Sequence, residues 1–209
     1  MGQFLVLDLD ETLIANSFRF AKPSQNIKVY TLPTEYGFED RFIVRPFVKE
    51  FLSWCSKHFD HVVLSTFSPE SRAERVLEAT GLRSYFDLII HRHVLDMSKG
   101  LLLLGGEPEA TYDMGGDFCL VDDQSWNSDH VLTKMSFLGV DVRPVIRARI
   151  DGKPLSEYEE VEKRFLQAPA YEGDPSDDFL IRLLEAFKNN YEVMRGLHSG
   201  GRSLCMSVD

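Results

Sequence analysis

Phe4-Leu5-Val6-Leu7-Asp8-Leu9-Asp10-Glu11-Thr12 is the stretch on which the reading of this chain turns. Four apolar residues in succession form the pattern of a parallel strand buried on both faces, and the acidic tail places polar chemistry at its carboxyl end. In an open parallel sheet that end borders the ligand crevice. Two other apolar runs finish in the same way. His61-Val62-Val63-Leu64-Ser65-Thr66 ends in a hydroxyl, and Phe118-Cys119-Leu120-Val121 ends in Asp122-Asp123. A sheet built from these runs would gather residues more than 100 positions apart at one edge.

Between and beyond these runs the chain alternates. Residues 15–45 read as a β-hairpin or three-stranded insertion, with strand-like Ile27 to Leu32 and Arg41 to Val44 around a turn-rich Pro33-Thr34-Glu35-Tyr36-Gly37. Pro46 fits the first position of a helix whose stripe is Phe47, Val48, Phe51, Leu52 and Cys55. Ser68-Pro69 opens a second helix that runs to about Ala79, and Gly81 ends it. Phe86 to His91 reads as a third strand, and Val145 to Ile150 as a further one. Glu157 to Gln167 and Asp177 to about Arg195 read as helices. Strands alternating with helices predict an α/β fold, a doubly wound parallel sheet with right-handed crossovers. Residues 1–195 form one domain in this reading, and the Gly- and Ser-rich residues 196–209 a loose tail.

Composition narrows the functional classes. The 209 residues carry 23 Lys+Arg against 33 Asp+Glu, a formal net charge of −10. Residues 1–100 hold 12 basic and 13 acidic side chains, whereas residues 101–209 hold 11 and 20. The absence of any run of Lys and Arg argues against long nucleic acid as a partner. No apolar run reaches the ~20 residues of a membrane span, so no membrane partner is expected. Cys55, Cys119 and Cys205 are odd in number and widely spaced, fitting neither a disulfide framework nor a zinc site. The apolar start lacks a basic region and a cleavage site. A cytoplasmic setting is expected, or a nuclear one in a eukaryote.

The strand-end residues make sense together as phosphoryl-transfer machinery. Asp8 alone would repel a phosphate, but a Mg²⁺ ion held by carboxylates cancels the repulsion and keeps positions open for water and phosphate oxygen. One carboxylate can then attack phosphorus. A second, two residues on, can protonate the leaving oxygen and later deprotonate water. Thr66 offers a hydroxyl and Lys99 a charge to the phosphoryl oxygens.

In that order, Asp8-Leu9-Asp10-Glu11-Thr12, Thr66, Lys99 and Asp122-Asp123 resemble the haloacid-dehalogenase phosphatase superfamily. More narrowly, the chain is similar to the branch of the RNA polymerase II C-terminal-domain phosphatases, the FCP/SCP or NLI-interacting-factor-like family. Arg45-Pro46-Phe47-Val48-Lys49-Glu50-Phe51-Leu52 resembles that family's RPG-x-x-EFL segment. The resemblance implies Asp8 as nucleophile and Asp10 as acid/base, the latter also offering its backbone carbonyl to Mg²⁺. It implies Thr66, Lys99 and Thr12 at the phosphoryl group, Arg92 at the substrate, and Asp8, Asp10, Asp122 and Asp123 at the metal. It leaves either Asp123 or Asp122 as the direct ligand from that pair, with Asp122, where Asp123 binds, orienting Lys99 or a metal-bound water. The segment between Lys99 and Asp122, with Gly105-Gly106 and Gly115-Gly116, is long for the family.

Plainer readings compete at each position. Strand-end aspartates often only cap turns, Thr66 and Lys99 could be structural, and His91-x-His93 and His58-x-x-His61 are better read as surface or core histidines than as ligands. The insertion of about 30 residues, and the roughly 20 residues between Met97 and Phe118, are too short for a full helical lid. An open site suits a phosphorylated side chain. The expectation is therefore a Mg²⁺-dependent phosphatase of phospho-Ser/Thr in a protein or peptide. A small-molecule or nucleic-acid-end phosphatase is the alternative, and a catalytically silent binding module the reading from another class.

Overall fold

A computed structural model describes residues 3–16, 28–34, 37–96, 118–155, 158 and 164–196. Strand β1 (Phe4–Leu7) lies at the centre of a five-stranded sheet. Its neighbours are β5 (His61–Ser65) and β7 (Phe118–Asp122), with β6 (Leu88–Ile90) and β8 (Phe165–Gln167) outside them, in the order β6-β5-β1-β7-β8. All four pairings are parallel. The strands progress one way from β1 to β5 and β6 and the other way to β7 and β8, so the topological switch point falls between β1 and β7. Asp8 and Asp122 sit there.

A second, antiparallel sheet contains β2 (Ile14–Asn16), β3 (Val29–Pro33) and β4 (Glu39–Val44), in the order β2-β4-β3. It is the three-stranded form of the expected insertion. The turn that feeds it passes through Glu11 at φ 65°, a left-handed conformation, and Tyr171 N–H donates to the Glu11 carbonyl at 2.6 Å.

Alternation along β1 sorts the core into two layers. Leu5 and Leu7 face one way, with Val62, Leu64, Cys119 and Val121. They pack on α1 (Val48–His58), α2 (Glu70–Thr80) and the helix Phe179–Gly196, called α5. Val6, Val63 and Leu120 face the other way, against α3 (Asp129–Phe137) and α4 (Arg143–Ile150). Helices on both faces explain why the sheet strands read as continuous apolar runs.

The structure corrects three sequence expectations. Val145 to Ile150 belongs to helix α4, not to a strand. Val142, Val145 and Ala148 are buried at intervals of three, Ile150 is 80% exposed, and Pro144 lies in the first turn. The end of the expected helix Glu157–Gln167 is strand β8, because Phe165 and Leu166 are buried beside β7 in the register Leu120↔Phe165 and Val121↔Leu166. Pro46 is not the first residue of α1. The chain turns through Phe47 at φ 62°, and the helix begins at Val48. Phe47 stands where the resembling family segment has glycine, the residue that adopts this conformation without strain.

Arg45 ties these parts together. It is buried, donates through Nε and Nη2 to both oxygens of Asp177 at 2.8 Å, and through Nη1 to the Thr12 carbonyl at 3.0 Å. The rings of Tyr171 and Phe179 lie over its guanidinium. Asp177 also accepts from Phe179 N–H at the start of α5, so one arginine joins the acidic turn to the last helix. Arg45→Ala leaves Asp177 and the Thr12 carbonyl without their partner. It is expected to destabilise the protein by about 3–5 kcal/mol, measured as a lower denaturant midpoint.

Candidate active site

The polar groups converge at the carboxyl ends of β1, β5 and β7. The first strand hydrogen-bonds directly to the third: Asp8 N–H donates to the Val121 carbonyl at 3.0 Å, which fixes the Asp8 and Asp122 carboxylates side by side. Lys134, from α3, reaches between them. Its Nζ donates to Asp8 Oδ1 and to Asp122 Oδ2, each at 2.6 Å, and all three residues are buried. Ser128 caps α3 by accepting from Val131 N–H, which sets the phase that turns Lys134 inward.

Two buried carboxylates against one ammonium leave an excess negative charge. Burial pushes the Asp8 carboxyl well above the usual carboxylate range and Asp122 adds to this, against the pull of Lys134. Burial would lower the Lys134 ammonium, but Asp122 and Asp8 more than reverse this, so the lysine stays protonated. Asp123 is pushed up to about 6, chiefly by burial and then by the charge of Asp122, although Gln124 donates a hydrogen bond to it.

Asp8, Asp122 and Asp123 each offer a carboxylate oxygen, and these oxygens lie within 4.8 Å of one another. Hard oxygen donors with an unneutralised charge fit a Mg²⁺ ion that retains some of its water. The Asp10 side chain is outside this cluster. Both its oxygens are held elsewhere, by Arg72 and Ser68 of the α2 end and by Asn16 of β2.

A pocket of about 280 Å³ opens over these groups, walled by Asp8, Asp10, Thr66, Arg92, Asp122, Asp123 and Lys134, with Phe67 and His130 at one side. Phe67 and His130 stack with ring centroids 4.3 Å apart. Thr66 is fully buried at the end of β5, and its Oγ1 accepts from Ser68 N–H at 3.0 Å. Arg92 stands at the rim, its Nε donating to the Phe67 carbonyl at 2.6 Å.

Residues 3–128 match the model of a family described as NLI interacting factor-like phosphatases. The chain belongs to that family. It is a phosphatase of the haloacid-dehalogenase superfamily, in its FCP/SCP branch. Among solved structures, this family member is similar to Fcp1, described as an essential RNA polymerase II CTD phosphatase, at 16% identity and a TM-score of 0.51. That match covers 99% of this chain and 68% of the other. Fission yeast RNA polymerase II CTD phosphatase Fcp1 bound to beryllium fluoride matches at 15% identity and a TM-score of 0.47, covering 97% and 68%. A putative beta-phosphoglucomutase from Thermotoga maritima matches at 14% identity and a TM-score of 0.42, covering 88% and 99%. No curated protein matches the chain in sequence.

Of the residues singled out in the sequence, the phosphatase brings Asp8, Asp10, Thr66, Arg92, Asp122 and Asp123 to one pocket. Thr12 is absent from its wall. The Glu11 turn sends the chain back into the protein, where Thr12 is fully buried and its carbonyl binds Arg45. Lys99 and the Gly105–Gly116 loop lie outside the described residues. The lysine against Asp8 is Lys134, which sequence reasoning passed over. A signal existed, since Val131, Lys134 and Leu138 are spaced as one face of a helix and a lysine interrupts its apolar stripe. Ser68 and Arg72 were also missed, hidden within an ordinary helix opening.

Proposed function

We propose that this family member is a Mg²⁺-dependent phosphomonoester hydrolase that works through an aspartyl-phosphate on Asp8, on phospho-Ser/Thr of a protein or peptide. The observation that carries the reading is the Lys134 ammonium shared by Asp8 and Asp122 at the switch point of the sheet. It supplies a nucleophile held in place and a positive charge beside it. Bound by Asp8, Asp122 and Asp123, Mg²⁺ supplies the charge that lets a phosphate dianion approach three carboxylates.

In the first step an Asp8 carboxylate oxygen attacks phosphorus as the bond to the leaving oxygen breaks, and Asp10 gives that oxygen a proton. In the second, Asp10 takes a proton from water, the water oxygen bonds to phosphorus, and the bond to Asp8 breaks to release inorganic phosphate. Lys134 holds Asp8 through Oδ1. An ammonium has three donors and two go to carboxylates, so the third serves a phosphoryl oxygen. The Thr66 hydroxyl accepts from Ser68 N–H and so has its own hydrogen to donate to another. Arg92 at the rim suits the substrate beyond its phosphate.

The 280 Å³ of the pocket supports a phosphoryl group on a short side chain, with the rest of the substrate outside. The likeness to an RNA polymerase II CTD phosphatase fits the same substrate class. The buried cysteines Cys55 and Cys119 support a cytoplasmic setting. The test is a screen of phosphopeptides, sugar phosphates and nucleotides, each with Mg²⁺ and with EDTA. Phosphopeptides are expected to give the highest kcat/KM, and EDTA to abolish turnover. One metabolite exceeding every peptide by orders of magnitude would replace the substrate reading with the small-molecule one. Activity that survives EDTA would remove the metal from the mechanism.

A further inference from the structure

Asp10 is held by a network that joins the pocket to the small sheet. Arg72, in the first turn of α2, donates from Nη1 to both Asp10 oxygens, at 2.9 and 3.1 Å. The same Nη1 donates to Ser68 Oγ at 2.5 Å, and Ser68 passes its own hydrogen to Asp10 Oδ2 at 2.6 Å. Asn16 of β2 donates from Nδ2 to Asp10 Oδ1 at 2.9 Å and accepts from Arg72 Nη2 at 2.5 Å. Arg72 Nε donates to Asp40 of β4 at 2.8 Å. The guanidinium is thus fixed by the small sheet through Nε and Nη2, and this aims its remaining nitrogen, Nη1, at both oxygens of Asp10. Three elements far apart in sequence set the position of one carboxylate.

Arg72 differs from the structural Arg45 in what its guanidinium ends on, a carboxylate that lines the pocket. Arg72 and Asp40 are separated by 32 residues and Arg72 and Asn16 by 56, and each bond closes a long loop to place one group. The side chains of Arg72, Asp10 and Asp40 are 22%, 28% and 19% exposed, so the network is partly buried, with Asp10 and Ser68 in the pocket wall and Arg72 and Asp40 behind them. Neither Arg72 nor Asp40 lines the pocket. Their effect on chemistry must run through Asp10.

We propose that Arg72 is the positioning residue for Asp10, and that the small sheet, through Asp40 and Asn16, holds Arg72 in place for proton transfer to the leaving group. The proposal rests on the acid/base role given to Asp10 above. It makes the β insertion a part of the catalytic machinery, in addition to whatever it does for substrate.

The test uses leaving groups of different need. p-Nitrophenolate departs without a proton, whereas the alkoxide of phosphoserine requires one. kcat/KM reports steps only as far as leaving-group departure, so the later water attack does not enter it. Arg72→Ala is expected to lower kcat/KM for a phosphoserine peptide by about 10²-fold, the scale of general-acid catalysis, and for p-nitrophenyl phosphate by less than about 5-fold. Arg72→Lys, whose single nitrogen cannot hold Asp10, Asn16 and Asp40 at once, is expected to show the same selective loss at smaller size. Asp40→Asn, outside the pocket, should show it at a few-fold.

Equal losses on both substrates in these variants, or no loss on the peptide, would overturn the proposal. Should Arg72→Ala not fold, Arg72→Lys and Asp40→Asn carry the same comparison. Asp10→Asn measured alongside separates the two readings. It must lose peptide turnover selectively. If it does and the Arg72 variants do not, the positioning role fails alone, and if Asp10→Asn keeps peptide turnover, the acid/base reading fails with it.

Discussion

Asp8→Asn is expected to lower kcat/KM by about 10⁴-fold or more on every substrate, good leaving groups included, while the folded protein becomes more stable. The loss follows from chemistry. Asparagine keeps the shape of the side chain but has no carboxylate to attack phosphorus, and removal of a covalent nucleophile costs on that scale. A p-nitrophenyl ester offers no escape, because it relieves the need for a proton and not the need for a nucleophile. This separates Asp8 from Asp10, whose replacement should spare the good leaving group.

The gain in stability follows from electrostatics. In the metal-free protein Asp8 and Asp122 share one ammonium, and burial raises the folded-state proton affinity of Asp8 well above its unfolded value. A carboxyl shifted in that direction favours the folded state only while it is protonated. Its contribution falls as pH rises from the ordinary carboxylate range upward. A neutral asparagine carries no such cost. The melting temperature of metal-free Asp8→Asn should therefore exceed that of the parent at pH 7, and the difference should shrink on acidification towards pH 4. Added Mg²⁺ should narrow it too, by stabilising the parent. A variant that is inactive and less stable at pH 7 would show that Asp8 is a structural residue.

The four aspartates were legible because strands announce themselves. A buried parallel strand is an unbroken apolar run, its carboxyl end is the first polar residue after it, and sheet topology brings such ends together whatever their separation. Asp8, Thr66 and Asp122 needed no knowledge of side-chain direction. Lys134 and Arg72 reach the same centre from helices, on long stems, and a helix residue announces only its phase. Lys134 interrupts an apolar face and could have been noticed. Arg72 could not, since on α2 an arginine at that phase looks like any solvated one until Asp40 and Asn16 fold over it.

The fold was misread for a related reason. Val145 and Ile146 suggested a strand by composition, but what settled the segment was Pro144 and the interval of three between buried Val142, Val145 and Ala148. β-Branched residues fit whichever surface buries them. Strand β8 has three residues, too few for any period to show, and its identity comes from the vacant edge of β7.

Lys134→Met is expected to be both inactive and unstable, the opposite combination to Asp8→Asn. Methionine matches the length of the lysine stem and removes the charge, leaving Asp8 and Asp122 buried together with no cation. Breaking a buried ion network by removing one partner costs about 3–5 kcal/mol, which for a chain of this size lowers the melting temperature on the order of 10 °C. The folded lysine holds its proton more tightly than the unfolded one, so its stabilisation is complete at neutral pH and fades only at strongly alkaline pH. The ammonium's own contribution is thus constant from about pH 6 to pH 8, and the deficit should grow with pH as buried Asp8 ionises without its counter-charge. Mg²⁺ should restore part of the lost stability by replacing the missing charge. It should not restore turnover, because the ammonium also serves the phosphoryl oxygens, and loss of one such donor lowers kcat by about 10²–10³-fold. Lys99 supplies the decisive comparison. Lys99→Met should leave both melting temperature and kcat near the parent values if Lys134 is the cation of the site. If instead Lys134→Met keeps turnover within tenfold and Lys99→Met abolishes it, Lys134 serves only to neutralise the buried carboxylates, and the phosphoryl group is held from the segment before β7.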